Sequence, residues 1–181
     1  MCSSDLPNDR FGLVAFSEYA LTQSPLTFDH ISMQEQLASL EVNQEASATA
    51  IGLGLAKAVA RLKDSNAKSK VVILITDGVS NTGEIDPETA ARMARSFDIK
   101  VYPIGVGTNG LVDFPLSDPR FGTFNRKMFV ELDMATLNRV AQITGTSEAA
   151  QATDSAQLKQ IMDKIDKLET TEYRAQVRHI W

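Results

Sequence analysis

The chain has 181 residues, of which 43% are hydrophobic and 23% charged, an ordinary balance for one globular domain. Its net charge of −5 argues against a nucleic-acid-binding protein, because no strong basic field is available to replace phosphate counterions. The single cysteine, Cys2, excludes an internal disulfide and a cysteine-based zinc site. The sequence has no membrane-spanning apolar run and no signal-peptide pattern, so we expect the chain as written to be soluble.

The first predicted elements form an antiparallel hairpin. A strand from Phe11 to Phe16 is followed, after a short turn, by a second from Tyr19 to Ser24 that Pro25 ends. A helix comes next, capped either by Asp29 or by Ser32. Its predicted apolar face consists of Met33, Leu37 and Leu40.

The next helix is predicted to begin at Thr49. Its apolar stripe consists of Ile51, Leu55, Ala58, Val59 and Leu62. Gly52 and Gly54 lie in its first turns, where each costs about 1 kcal/mol relative to alanine. Either something there requires a close approach to the helix backbone, or the pair is simply tolerated near a helix start.

The central strand is indicated by five consecutive apolar residues, Val71 to Ile75. Such a run is typical of a strand buried on both faces. Asp77 and Gly78 follow directly, at the carboxyl edge of the sheet, where open α/β sheets bind ligands. The alternative is that Asp77 only opens a turn.

Helices and strands then alternate. Asp86 caps a helix, and the strand from Lys100 to Val106 follows, with a bulge or irregular pairing expected at Pro103. The inward residues of that helix are predicted to be Ala90, Met93, Ala94 and Phe97. The segment 107–131 contains three residues unsuited to a helix (Pro115, Pro119 and Gly122), so we expect an inserted hairpin there.

The last elements begin with a helix capped by Asp133 and ended by Gly145. A short strand between Ser147 and Ala152 leads to a helix capped by Asp154. Its stripe, which favours core packing over a coiled coil because it is short, consists of Leu158, Ile161, Ile165 and Leu168. The whole order predicts an α/β fold with a doubly wound, mostly parallel sheet and an antiparallel edge hairpin.

Most chemical motifs are missing or fail in context. The glycines from Gly105 to Gly110 fit a dinucleotide-binding pattern, but no helix is predicted where pyrophosphate would need one. His30 and His179 have no partner cluster in the sequence and are expected at the surface. What remains is the pair Thr49 and Asp77, a hydroxyl and a carboxylate whose hard oxygens suit Mg²⁺.

From Asn8 to Glu169 the chain resembles a von Willebrand factor A domain, and specifically the membrane-anchored bacterial Bat-type aerotolerance proteins. The matching segments are Asp9 to Phe16, Thr49 to Gly52, Thr76 to Gly78 and Val101 to Gly107. In that family a metal-ion-dependent adhesion site takes a DxSxS loop, a threonine and an aspartate. The resemblance places the threonine on Thr49 and the aspartate on Asp77.

The sequence departs from the family at its beginning. It contains no DxSxS segment, so the family's first strand and helix are expected to be absent, leaving Phe11 to Phe16 and Val71 to Ile75 either beside a gap or paired directly. We expect a non-family start at residues 1–7, a truncated domain at 8–170 with its hairpin at 107–131, and a juxtamembrane-like tail at 171–181. Mg²⁺ binding is expected to be weak or absent.

The resemblance implies a metal-dependent protein-interaction module with no catalytic activity, in which the cation bridges to an acidic residue of a partner. Other Bat-type subunits and a MoxR-type AAA ATPase are the implied partners, and the bacterial inner membrane is the implied location of the parent protein. Two alternatives stay open. One is a phosphoryl-transfer enzyme that uses Asp77 as a metal-bound carboxylate, and the other is a scaffold that binds partners without metal.

Overall fold

The computed structural model describes residues 9–40, 49–78, 82–107, 110–118, 122–130 and 132–178. In chain order the elements are β1 (Phe11–Phe16), β2 (Ala20–Thr27), α1 (His30–Ala38), α2 (Ile51–Leu62), β3 (Lys70–Thr76), α3 (Pro87–Ser96), β4 (Ile99–Val106), β5 (Gly110–Asp118), β6 (Gly122–Val130), α4 (Met134–Thr144), β7 (Ala150–Ala152) and α5 (Ser155–Arg178). From α2 onward helices and strands alternate except at the β5–β6 hairpin, so the predicted α/β class is confirmed.

The strands of the described residues form three separate sheets. β3, β4 and β7 make a parallel sheet in that order, while β1 pairs with β2 and β5 pairs with β6, both antiparallel. Across the described ranges β1 and β3 are not hydrogen-bonded to each other. Direct pairing of these two strands, one of the two outcomes expected from the sequence, therefore does not occur.

The parallel sheet has apolar packing on both faces at β4, but the prediction that the strand from Val71 to Ile75 is buried on both faces is wrong. Among the described residues β3 is an edge strand, and Ile73 and Ile75 on one of its faces are 36% and 44% exposed. On one face α2, α3 and α4 bury a cluster that includes Leu55, Val59, Leu74, Val101, Leu137 and Val140. On the other face Ile104 and Ala152 pack with Ile165 of α5. The stripe of the last helix is thus core packing, as predicted, except that Leu168 is 47% exposed.

A polar cluster fixes α5 to the sheet near the beginning of β3 and β4. The carboxylate of Glu169 accepts hydrogen bonds from the hydroxyls of Ser69 (3.1 Å) and Tyr102 (2.5 Å). The ammonium of Lys100 lies 3.2 Å from the same carboxylate, and both side chains are partly buried. Sequence patterns did not indicate this cluster because its members are far apart in the chain.

Two glycines allow the backbone of helix α2 to lie very close to neighbouring residues. A methyl group on Gly52 would overlap the carbonyl oxygen of Ile85, and one on Gly54 would lie 2.7 Å from Cγ of Phe16. Both glycines are buried. The close-approach explanation for this pair is therefore confirmed.

Two prolines lie in strands where the sequence predicted an end or a bulge. Pro25 lies inside β2, which continues to Thr27. Among the described strands β2 pairs with β1 alone, and such an edge strand tolerates a missing donor. Pro103 lies in an even parallel register opposite Leu74, so the expected bulge is wrong. On its other side β7 pairs only from Ile104 onward, so no ladder bond is required of Pro103 there.

The predicted apolar face of α1 was wrong. The helix is capped by Asp29, which accepts the amide of Ser32 at 3.0 Å, but it has no buried residue and Leu37 is 53% exposed. Its main contacts among the described elements are with the hairpin strands β1 and β2, which give it no deep core to enter.

The predicted apolar face of α3 was right in part. Ala90 and Ala94 are buried as expected, whereas Met93 and the C-cap residue Phe97 are each 39% exposed, because the packing of α3 against α2 and α4 accommodates small side chains.

The remaining elements follow the predictions closely. Segment 107–131 contains the β5–β6 hairpin, Asp133 caps α4, and Gly145 ends it with a left-handed φ of 84°. Helix α5 runs without a break to Arg178, so the described part of the predicted tail is helical, and residues 179–181, with His179, lie outside the described residues. No described helix is both long and apolar enough to cross a bilayer.

We expect Gly52→Ala to lower the free energy of unfolding by about 1–3 kcal/mol, because the added methyl group overlaps the Ile85 carbonyl oxygen. This loss should appear although alanine exceeds glycine in helix propensity by about 1 kcal/mol. Urea unfolding of both chains measures this change in the free energy of unfolding. At exposed Ala60 in the same helix, Ala60→Gly should cost about 1 kcal/mol, which calibrates the propensity effect. A Gly52→Ala chain as stable as the original would contradict the close approach.

A second prediction concerns acid stability. Burial raises the pKa of Asp133, but hydrogen bonds from the hydroxyl (2.6 Å) and amide (2.9 Å) of Thr136 outweigh this effect, so its pKa lies below the ordinary value. Because the unfolded chain has the higher pKa, the ionised carboxylate stabilises the fold at neutral pH, and this contribution is lost as pH falls below about 4. Asparagine also caps helices. Asp133→Asn should therefore flatten the acid limb of a stability-against-pH curve, and an unchanged limb would contradict the assignment.

Candidate functional site

The beginning of α2 is attached to the end of β1. The amide of Ala50, the N-cap residue of α2, donates a 2.7 Å hydrogen bond to the carbonyl of Ser17, which directly follows β1. Ala50 itself is fully buried. This bond holds Thr49, the residue before the cap, at the carboxyl end of β1.

The end of β3 lies against the same place. A methyl group on Gly78 would be 3.2 Å from the Thr49 hydroxyl oxygen and 3.9 Å from the Thr49 Cβ. The Thr49 side chain therefore lies against the turn that contains Asp77 and Gly78. Thr49 is half-buried and Asp77 is exposed. The structure thus brings the two loops together at the carboxyl edge of the sheet.

The turn after β3 is closed by a residue that sequence reasoning missed. The hydroxyl of Thr76, which is buried, accepts the amide of Gly78 at 3.3 Å. A threonine hydroxyl bonded to the amide two residues on is a common turn device, and the Thr-x-Gly spacing was the available signal. Because Thr76 holds the turn, Asp77 is not required for that purpose.

The N-terminus of α2 contributes to the electrostatic field at this edge of the sheet. Its N-terminus carries a positive partial charge, and its first turn contains no acidic residue. This field opposes the binding of a cation by neutral ligands alone, so a cation at this edge requires a carboxylate ligand. Asp77, in the neighbouring loop, supplies one negative charge whose exposed oxygens are accessible from solvent.

The two residues fit part of a magnesium site. A hydroxyl and a carboxylate are hard oxygen ligands, and Mg²⁺ commonly keeps several waters while bound by one or two carboxylates. Over the described ranges, however, no group of three or more histidine, cysteine, aspartate or glutamate residues could hold a metal. A cation held by Thr49 and Asp77 would therefore need further ligands from water, from a partner or from residues outside the described ranges.

The competing motifs do not form sites. Gly110 begins strand β5, so the glycine pattern from Gly105 has no helix after it and lacks the amides that a pyrophosphate requires. His30 is half-buried, with its ring edge-on to that of Phe11 at 4.9 Å between centroids. The ring of His30 lies beside Phe11, and its Nε2 is 3.1 Å from the carbonyl oxygen of Asp9, so it is at the beginning of β1, whereas Thr49 lies at the end of that strand.

Comparison with known proteins identifies the family. The profile of the von Willebrand factor type A domain matches residues 3–164. An uncharacterized protein of Borreliella burgdorferi is 32% identical over 145 residues, covering 78% of this chain and 42% of the relative. The chain therefore spans less than half the length of this curated relative.

Solved structures show the same fold. An aerotolerance-related membrane protein from Bacteroides fragilis is 26% identical with a TM-score of 0.64, over 88% of this chain and 80% of that one. The hypothetical protein BatB from Bacteroides thetaiotaomicron is 24% identical with a TM-score of 0.68, over 90% and 80% of the two chains. Proximal thread matrix protein 1 from the mussel byssus, with a zinc-occupied MIDAS motif, is 24% identical with a TM-score of 0.65, over 91% and 38%. Since the family profile spans most of the sequence, this chain belongs to the von Willebrand factor type A domain family.

Proposed function

We propose that this chain is a metal-dependent protein-interaction module, in which Thr49 and Asp77 help to bind a divalent cation, Mg²⁺ by preference, that also takes a carboxylate from a partner protein. The observation that carries the proposal is the position of the Thr49 hydroxyl beside the turn containing Asp77. These residues hold the cation from one side only, which leaves ligand positions for water and a partner. The cation would supply charge and coordination geometry for recognition.

Membership of the family supports an interaction role over catalysis. A phosphoryl-transfer enzyme needs further acidic ligands near its catalytic carboxylate, and the described residues contain no such group around Asp77. The likeness to an aerotolerance-related membrane protein of Bacteroides fragilis supports a Bat-type parent anchored in the bacterial inner membrane. Other Bat-type subunits and a MoxR-type AAA ATPase are the partners that we propose for that parent.

Calorimetric titration with Mg²⁺ tests the metal site. The chain alone should bind weakly, because two ligands do not outcompete the hydration of Mg²⁺. A version extended upstream with a family DxSxS segment should bind in the micromolar range, and Asp77→Ala in that version should abolish binding. Asp64→Ala, which removes an exposed carboxylate elsewhere, serves as the matched control. Micromolar binding by the chain itself would contradict the partial site, and unchanged binding by Asp77→Ala would contradict the role of Asp77.

The role of the hydroxyl is tested with a pair of variants in the same extended version. Thr49→Val keeps the shape of the side chain but removes the oxygen, so Mg²⁺ affinity should fall by about tenfold or more, as expected for a lost charge-assisted contact of about 1.5 kcal/mol. Thr49→Ser keeps the oxygen and should retain most of the affinity. Equal affinities of the two variants would show that the hydroxyl is not a ligand. Urea unfolding checks that both variants remain folded.

A further inference from the structure

A basic segment joins α2 to β3 at the amino edge of the sheet, where the parallel strands begin. Residues 61–70 contain one acid, Asp64, and four cations: Arg61, Lys63, Lys68 and Lys70. The first three cations are exposed and the last is half-buried. The segment has a net charge of +3 in a chain whose net charge is −5. Positive charge therefore collects at this edge of a molecule that is acidic as a whole.

The beginning of β1 adds a fifth cation to this segment. The guanidinium of Arg10 donates a 2.9 Å hydrogen bond to the hydroxyl of Ser65, in the middle of the basic segment. The same guanidinium lies over the ring of Phe28, 5.9 Å from its centroid. Phe28 directly follows β2, whose last residue, Thr27, is opposite Phe11. The basic segment and this end of the β1–β2 hairpin therefore form one continuous surface.

Two large apolar side chains project from this surface. Phe28 is 60% exposed, and Ile31, in the first turn of α1, is 72% exposed. Only two residues separate them, and they begin a helix that has no buried residue. Residues 61–70 together with Arg10, Phe28 and Ile31 are called the amino-edge surface below. Its apolar side chains beside cations fit the interface of a bilayer, where apolar groups enter the acyl boundary and cations stay at the headgroups.

Three carboxylates lie along the amino-edge surface and reduce its charge without reversing it. Asp29 accepts hydrogen bonds from the amide (3.0 Å) and the hydroxyl (2.6 Å) of Ser32. Asp64 lies 4.0 Å from the ammonium of Lys63. Together with Asp9 these three acids stand against five cations, so the surface keeps a net charge of +2.

We propose that the amino-edge surface rests on an anionic lipid bilayer, with Phe28 and Ile31 in the headgroup region and the cations against lipid phosphates. Thr49 and Asp77 lie at the opposite, carboxyl edge, so the docked domain presents them away from the bilayer. The choice of a bilayer over an acidic protein rests on the proposed membrane location of the parent. The proposed metal site plays no part in it.

Co-sedimentation of the full chain with large vesicles tests the proposal. Vesicles of equal parts phosphatidylcholine and phosphatidylglycerol should bind the chain at least about tenfold more tightly than phosphatidylcholine alone, and added salt should weaken binding. Lys63→Glu should lower the affinity about fivefold or more, because each cation at an anionic surface contributes about that factor. Lys159→Glu makes the same reversal at an exposed residue near the start of α5, at the carboxyl edge, and should leave the affinity unchanged.

A second pair of variants tests the apolar contact. Ile31→Ser should lower vesicle affinity about fivefold or more, because it removes apolar area that the bilayer covers. Met93→Ser, at a residue in α3 that is 39% exposed, should leave it unchanged. Urea unfolding checks that all variants are folded, and the comparison of the two vesicle compositions needs no variant.

Three results would overturn the proposal. They are equal affinity for the two vesicle compositions, equal effects of Lys63→Glu and Lys159→Glu, and binding of a polyglutamate peptide as tight as that of the anionic vesicles. In the last case the surface would recognise an acidic polypeptide. The vesicle measurements are made without Mg²⁺, so their failure is distinct from a failure of the proposed metal site, which the calorimetric titration detects.

Discussion

The arrangement of this molecule depends on the contact that two glycines of α2 allow. Gly52 brings the first turn of α2 against the backbone at Ile85, and Gly54 brings it against the ring of Phe16 in β1. Since β1 and β3 share no hydrogen bonds in the described part of the chain, this helix is a principal link between the β1–β2 hairpin and the parallel sheet. Larger side chains at these two positions would move the helix away from both partners.

The candidate site is a direct consequence of that link. Because α2 begins where β1 and β3 both end, Thr49 is held beside Gly78 without any bond between the strands themselves. The site is therefore assembled from two loops that are distant in sequence and fixed by one helix. A contact of this kind positions oxygen ligands well but leaves them few in number, which explains why the proposed cation depends on ligands from outside the described residues.

Local sequence signals predicted the elements and their ends where the contacts that decide them join residues close together in the chain. Asp29, Asp86 and Asp133 each cap the helix that follows, because a carboxylate two or three residues before a free amide needs no tertiary partner to accept it. The predictions failed where neighbours decide the outcome. Pro103 keeps an even register with β3, and β7 pairs with β4 only from Ile104 onward, so Pro103 needs no donor on that side. Met93 is exposed because α3 packs closely through its alanines.

The sequence by itself determined the α/β class, the apolar strand that leads to Asp77 and the identity of Thr49 and Asp77 as the candidate oxygen ligands. Each of these rests on a local run of residues or on a recognisable family motif. Only the tertiary structure decided that the Thr49 hydroxyl lies against Gly78, that Thr76 holds the turn, and that Glu169 joins α5 to Lys100 and Tyr102. These contacts join residues far apart in the chain or depend on the exact turn, so periodicity and propensity carry no information about them.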